Sequence, residues 1–292
     1  MSSHPLRIGT YNIHEADGDL AERQIEMLAA HDLDILSVQE CGGTGWLDNS
    51  DPKAWEGTGP VLERYARGLG MEGAAARSRA DHRHTALLWR RGRIRRCSTN
   101  DYSRIAHRTF AQHRLDVDGV GAVNVMAVHA HHANGEVRYS EAKHMARLAA
   151  GPGRAVLAGD FNSVHGRPCG ARWEHLAEPD LEPDISLLPD YMLASQALVD
   201  AAGDPVLDEE GRPLFDRRPS KVLQVGGFRD AAAELLPPPE RLQTGAFLHD
   251  DAPRRLDRVY TYGLAPVAFE TVEDAKAQLS DHYLVIATVT VP

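Results

Sequence analysis

Short runs of apolar and β-branched residues set the frame for this chain. Eight of them read as strands, over 6–13, 34–40, 85–89, 110–117, 122–129, 155–159, 256–262 and 283–291. Between them, apolar spacing and end signals predict helices over 20–30, 60–69 and 136–150. Pro60 opens the second of these, Gly70 closes it, and Gly151 closes the third. Weaker helical patches fall near 191–201 and 228–236, and Pro237-Pro238-Pro239 reads as loop. Strands that must each bury a face, mixed irregularly with fewer helices, fit two packed sheets flanked by helices. No fixed-period repeat and no low-complexity linker divides the chain. A single domain over 1–292 is therefore expected, with an irregular, insertion-like segment at about 165–255.

At 292 residues the chain is long enough to bury a large core, and its 42% apolar and 25% charged residues are ordinary for a globular protein. No apolar run approaches the roughly 18–20 residues of a membrane span, and the first residues lack the pattern of a secretory signal. A cytoplasmic protein without a membrane partner is expected, and no obligate protein partner is evident. Cys41, Cys97 and Cys169 are too few and too scattered for a disulfide framework or a paired zinc motif.

The net charge of −10 is localised. Eleven of the 42 acidic residues, and none of the 32 basic ones, lie between Trp173 and Gly211. Without that segment the chain is nearly neutral. A contrasting run, Arg90-Arg91-Gly92-Arg93-Ile94-Arg95-Arg96, is basic. Either tract can be solvated surface, or can steer or exclude a charged substrate.

Several strands carry a polar or ionisable residue at one end. Asn12 closes the first strand, Glu40 the second, His129 the strand 122–129, and Asp160-Phe161-Asn162 the strand 155–159. Asp257 opens the strand 256–262, and Ser280-Asp281-His282 precedes the last. One such residue is an ordinary cap or turn residue. Together they imply strand ends converging on one cleft. The set suits phosphoester hydrolysis. Glu40 and Asp281 can hold a hard divalent cation that keeps several waters. Asp160 and Asn162, two apart, are expected on the same side of an extended segment. Histidines add proton donors and acceptors near neutral pH, and Asp257 can fix the tautomer of His282.

These motifs occur in a recognisable order: Thr10-Tyr11-Asn12-Ile13, Val38-Gln39-Glu40, Ala127-Val128-His129-Ala130, Gly159-Asp160-Phe161-Asn162, Leu256-Asp257-Arg258-Val259 and Ser280-Asp281-His282. With Thr85–Arg90 they span about 6–290, and the chain resembles the endonuclease/exonuclease/phosphatase superfamily. That resemblance implies a four-layer α/β sandwich of two mainly antiparallel sheets, with the site at one rim. It implies Glu40 as principal ligand of one or two Mg²⁺ or Mn²⁺ ions, with Asn12 and Asp281 in the metal and phosphate shell. It implies Asp160 or His282 as the base, Asn162 on the phosphate, and Asp257 behind His282. His129 is expected to donate to the phosphate or protonate the leaving oxygen.

The match has departures. His129-Ala130-His131-His132 offers three histidines where the family needs one, so His131 is an alternative phosphate contact. The glutamate that partners the first catalytic histidine in deoxyribonuclease-like members is missing from Asp81-His82-Arg83-His84. His14 and Asp17 follow Asn12, where some relatives place an acidic metal-shell residue, and Arg108 is a candidate phosphate contact. The expected substrate is a phosphodiester of nucleic acid or a nucleotide. The alternative is a small phosphorylated metabolite, which the acidic segment favours if it borders the cleft. A non-catalytic binding module is the remote third reading.

Overall fold

The computed structural model describes residues 5–42, 45–47, 54–102, 105–108, 110–149, 153–181, 185, 188–245, 254–273 and 279–292. Two sheets face each other. The first contains β1 (Leu6–Asn12), β2 (Ile35–Cys41), β3 (Glu56–Gly57), β4 (Met71–Ala76), β5 (His84–Arg90), β12 (Ala265–Val272) and β13 (Leu284–Thr290), ordered β12-β13-β1-β2-β5-β4-β3. The second contains β6 (Ile94–Asp101), β7 (Ala111–Val117), β8 (Gly121–His129), β9 (Arg154–Asp160), β10 (Arg229–Asp230) and β11 (Asp257–Tyr262), ordered β10-β11-β9-β8-β7-β6. Among the described residues only β1–β2 and β8–β9 run parallel, each pair joined through a helical crossover.

Helices α1 (Gly18–Ala29) and α2 (Pro60–Gly68) cover the outer face of the first sheet. There Ala21, Ile25, Leu28, Leu62 and Tyr65 bury against Leu36, Val38 and Leu88. Helices α3 (Gly135–Ala149) and α5 (Arg218–Val225) cover the second, where Ala142, Met145 and Leu223 meet Met126, Val128 and Leu157. Between the sheets lies an aliphatic core from Leu6, Ile8, Ile35, Leu87, Val125, Val156, Val259 and Val285. The result is the expected four-layer α/β sandwich, its core closed by apolar area removed from water.

The facing rows explain the site. Along β1 the inward row reads Leu6, Ile8, Thr10, Asn12; along β8 it reads Val123, Val125, Ala127, His129. On β9 it is Val156, Ala158, Asp160, and β11 runs the other way from Asp257 to Val259. With the strand period of two, each apolar row ends in a polar residue at the same rim. The register lays His129 opposite Asp160 and Asp160 opposite Asp257. Gly159 permits this. A Cβ there would lie 1.9 Å from the Val128 carbonyl oxygen, at a φ of 157°.

Besides the two-residue β3 and β10, three longer strands lie outside the sequence expectations. β4 is Met-Glu-Gly-Ala-Ala-Ala, poor in β-formers, and it owes its form to pairing with β5. β6 and β12 are sheet edges: polar side chains hide any alternation in β6, and in β12 Pro266 and a bulge between Pro266 and Ala268 break it. The patch near 191–201 is helical only over α4 (Asp190–Gln196). The patch near 228–236 holds the two-residue β10 followed by α6 (Ala231–Leu235).

The irregular segment after β9 is anchored by buried charge. Asp230 accepts from the amides of Ala232 and Ala233 at the start of α6, and binds Arg255 at 2.9 Å and Arg258 at 3.0 Å. Asp180 pairs with Arg255 at 2.8 Å, Arg258 at 3.3 Å and Arg241 at 3.4 Å. Burial opposes ionisation of both acids, yet the arginines hold both carboxyls below the ordinary range. One of the eleven segment acids is thus an internal strut.

Candidate active site

The rim residues enclose a cleft of about 470 Å³. Glu40, His129, Asp160, Asn162, Asp281 and His282 line it, with His14, Arg83 and Arg108. Asn12 and Asp257 are buried, 1% and 0% exposed, and do not line it. Asn12 accepts from the His14 amide at 3.1 Å, and its own carbonyl accepts from Ser280 at 2.6 Å. It therefore ties β1 to the loop carrying Asp281 and His282.

Glu40 reaches the cleft through a break in its strand. By alternation it would follow Leu36 and Val38 toward the helices. A bulge between Val38 and Cys41, with Glu40 at φ 54°, turns its carboxylate to the rim instead. A non-glycine residue in this left-handed region costs on the order of 1–3 kcal/mol and marks a functional candidate. Asn162, at φ 48°, is a second case. Extended alternation does not bring it beside Asp160. The strand ends at Asp160, and a tight turn follows in which the Asn162 amide donates to Asp160 Oδ1 at 2.8 Å. Its Nδ2 donates to Asp160 Oδ2 at 3.1 Å and to the Ala130 carbonyl at 3.0 Å. The Asn162 backbone amide and one side-chain N–H thus hold the Asp160 carboxylate, while the other side-chain N–H ties the turn to Ala130.

His282 Nδ1 lies 2.7 Å from Asp257 Oδ2, both buried. Burial opposes a charged ring, but the Asp257 carboxylate, with Asp160 and Asp281 nearby, lifts the imidazole to about 10. Asp160 is shifted the other way for a carboxyl. Burial first, then the Asp257 and Glu40 charges, raise it to about 7 against the pull of His282 and the Asn162 amide. At neutral pH the pair is an imidazolium beside a carboxyl poised to take a proton.

His129 differs from expectation. Burial and the adjacent Arg108 hold its ring well below 6.5, so it is neutral. Arg108 Nη1 lies 2.6 Å from His129 Nε2, so the arginine donates and the ring accepts, with the proton on Nδ1. A neutral ring whose outward nitrogen is occupied cannot protonate a leaving oxygen. Arg108 Nε is in turn held by Asp81 at 2.8 Å. Asp81, Arg108 and His129 thus form a hydrogen-bonded chain that starts in the Asp81–His84 stretch. Arg108 is 3% exposed and lines the cleft.

His131 does not line the cleft. Its ring stacks on His107, with centroids 3.9 Å apart, and its Nδ1 accepts from the Ala133 amide at 3.0 Å. Strand alternation stops at His129, where β8 ends, so His131 does not follow it to the same side. His132 lines the cleft instead. His14 is there too, its Nδ1 3.4 Å from Asp281 Oδ1, whereas Asp17 is exposed at the start of α1.

Some site residues escaped sequence reading because they are not at strand ends. Arg83 bridges Glu15 at 2.6 Å and Glu40 at 3.1 Å. Arg138, 1% exposed on α3, donates to the carbonyls of His131 at 3.0 Å and His132 at 3.2 Å, and to that of Ser195 on α4. It ties the segment carrying His132 to α4, both of which contribute to the lining. Glu141 completes this support by accepting from the amides of His107 at 2.9 Å and His131 at 3.0 Å.

The two charged tracts are now placed. Trp89 pairs with Ile35, at the far end of β2 from Glu40, so the Arg90–Arg96 run begins roughly 20 Å from the rim. Its cations are matched there by Asp32, Asp34, Glu72, Asp116 and Glu56. The acidic segment does border the cleft, through Pro189, Tyr191, Met192, Ser195 and Gln196, but none of its described acids lines it. Glu182 and Asp184 lie outside the described residues.

The profile of the endonuclease/exonuclease/phosphatase family matches residues 9–282. The chain belongs to this family. No curated protein matches it in sequence. Among solved structures it is similar to an endonuclease/exonuclease/phosphatase from Bacteroides vulgatus, at 15% identity and TM-score 0.63, over 99% of this chain and 100% of that one. It is also similar to TDP2 from D. rerio in complex with a single-strand DNA product, at 14% identity and TM-score 0.57, over 98% and 99%. A mannosyl-6-phosphatase from Bacteroides thetaiotaomicron aligns over 98% and 99%, at 13% identity and TM-score 0.57. At these identities the likeness is one of fold, and family members of this fold hydrolyse phosphoesters.

Proposed function

We propose that this endonuclease/exonuclease/phosphatase family protein is a divalent-metal-dependent phosphodiesterase acting on nucleic acid or a nucleotide. The observation that carries this is the His282–Asp257 pair, 2.7 Å apart and buried, facing Asp160 in the cleft that Glu40 also lines.

The donor set fits a hard cation. Glu40 and Asp281 offer carboxylate oxygens, and the Arg83 guanidinium already rests 3.1 Å from Glu40 Oε1, where positive charge is favoured. Two carboxylates suffice for Mg²⁺ or Mn²⁺, which keeps most of its waters. Such an ion, held by Glu40 with Asp281 and supported by Asn12, would supply charge neutralisation on the phosphate.

The remaining chemistry belongs to the chain. Asp160, oriented by Asn162, takes the proton of the attacking water. His282, kept charged by Asp257, donates to the non-bridging oxygen as charge grows there. Arg108, seated on neutral His129, adds a second cationic donor. His131 has no part in this scheme. A second reading, a small phosphorylated metabolite as substrate, draws support from the remote position of the basic run, since phosphate contacts dominate nucleic-acid affinity. No helix among the described residues is long and apolar enough to cross a membrane.

The test is a panel of bis-p-nitrophenyl phosphate, p-nitrophenyl phosphate, single-stranded DNA, RNA and plasmid, each with Mg²⁺ or Mn²⁺ and with EDTA. Diester cleavage abolished by EDTA and by Glu40→Gln is expected, alongside weaker Mn²⁺ binding by Glu40→Gln in calorimetry. Hydrolysis of the monoester alone selects the metabolite reading. Full activity in EDTA refutes both.

A further inference from the structure

The lining of the cleft is of two kinds. One part is the carboxylates and imidazoles described above. The other is apolar and comes from the start of α4 and the chain before β11: Pro189, Tyr191, Met192 and Leu256. Nothing in the hydrolytic scheme needs an apolar wall.

Tyr191 is the odd residue on it. It is 75% exposed, the most exposed large hydrophobic side chain among the described residues and the only aromatic in that group. By contrast, the aromatics Phe161 and Tyr260 behind the rim are 3% and 1% exposed and pack edge-to-face with each other. A ring left in water beside a reactive centre is an unfilled contact.

Its position is built. Met192 behind it packs against the small core of Val164, Ile185, Leu188, Ala197 and Phe215. At the other end of α4, the Ser195 carbonyl is held by buried Arg138, which also holds the His131 and His132 carbonyls. The platform is thereby tied to the chain that follows His129.

The charge pattern narrows the ligand. Besides the charged ring of His282, the cations lining the cleft are Arg83, Arg108 and Arg254. Arg83 is engaged by Glu15 and Glu40, and Arg108 by Asp81 and His129. The unshared basic stripe that tracks a long backbone is not at this rim. One phosphoester with one flat group fits a wall of this kind better than a duplex does.

We propose that Tyr191 is a specificity-determining residue that stacks an unpaired nucleobase attached to the scissile phosphate, with Met192 and Leu256 flanking it. The substrate class is then a nucleotide ester or the end of a single strand. This rests on the phosphodiesterase reading above.

The test compares thymidine 5′-(p-nitrophenyl) phosphate with methyl p-nitrophenyl phosphate, which share a leaving group and differ in the base. The wild type should prefer the nucleotide. Tyr191→Ala should raise KM for the nucleotide by about tenfold or more while leaving kcat, and both constants for the methyl ester, unchanged. Tyr191→Trp should restore the preference. A wild type without preference, or Tyr191→Ala acting equally on both esters, overturns the proposal but leaves the phosphodiesterase reading standing. A leaving-group aryl stacked on Tyr191 would show as equal losses on both esters, and a preference for duplex over single-stranded DNA would also overturn it. A wild type inert to both esters with Mg²⁺ and Mn²⁺ refutes the phosphodiesterase reading itself.

Discussion

Replacing Asp257 by Asn tests the central pair with a defined magnitude and sign. Asp257 is fully buried and holds His282 Nδ1 at 2.7 Å, and the ring sits near 10 against burial that alone would push it below 6.5. Raising a histidine from 6.5 to about 10 corresponds to about 5 kcal/mol favouring the charged form. That lies at the upper end of what breaking one buried pair costs, about 3–5 kcal/mol. Because the folded value is raised, this stability is fully present below pH 6.5 and is lost as pH rises toward 10. The wild type should therefore exceed Asp257→Asn most at pH 6, and the gap should shrink by about 3 kcal/mol by pH 9. The assay is urea unfolding in EDTA at both pH values. Both proteins should carry Asp160→Asn, so that the neighbouring carboxyl does not titrate. A gap that is constant with pH would refute a charged His282. In the otherwise native enzyme the same substitution should lower kcat by 10²-fold or more, since an amide cannot keep the ring charged to donate to the non-bridging oxygen.

Further outcomes can be checked with single variants. Activity should rise with pH as Asp160 loses its proton, with the limb at or below pH 7 in the metal-loaded enzyme, and fall near pH 10 as His282 loses its own; a flat kcat profile from pH 5 to 9 would contradict this. Gly159→Ala should cost about 3 kcal/mol or more, or prevent folding, because its methyl meets the Val128 carbonyl between two parallel strands; an unchanged melting temperature would contradict the packing. Asp180→Asn should destabilise by about 3–5 kcal/mol by leaving Arg255 and Arg258 short of a counter-charge, with Mn²⁺ affinity unchanged in calorimetry.

Sequence alone determined the sandwich and most of its rim. Apolar rows of period two had to be buried in sheets, and a polar residue closing each row had to emerge at a sheet end. Asn12, His129, Asp160 and Asp257 are legible for that reason. Strands β4, β6 and β12 were not, because pairing and edge position, rather than composition, make them strands. Tertiary structure alone decided three matters. The bulge at Glu40 and the turn at Asn162 depend on backbone conformations no spacing rule encodes. The contacts Arg108–His129 and Arg138–Ser195 join residues 21 and 57 positions apart, so their chemistry exists only once the chain has folded. The meaning of net charge was settled by location. The basic run is neutralised at the far end, Asp180 is spent inside the fold, and the acidic segment meets the cleft through Tyr191 and Met192. Electrostatic influence falls steeply with distance and with pairing, so where a charge sits, and what faces it, outweighs how many there are.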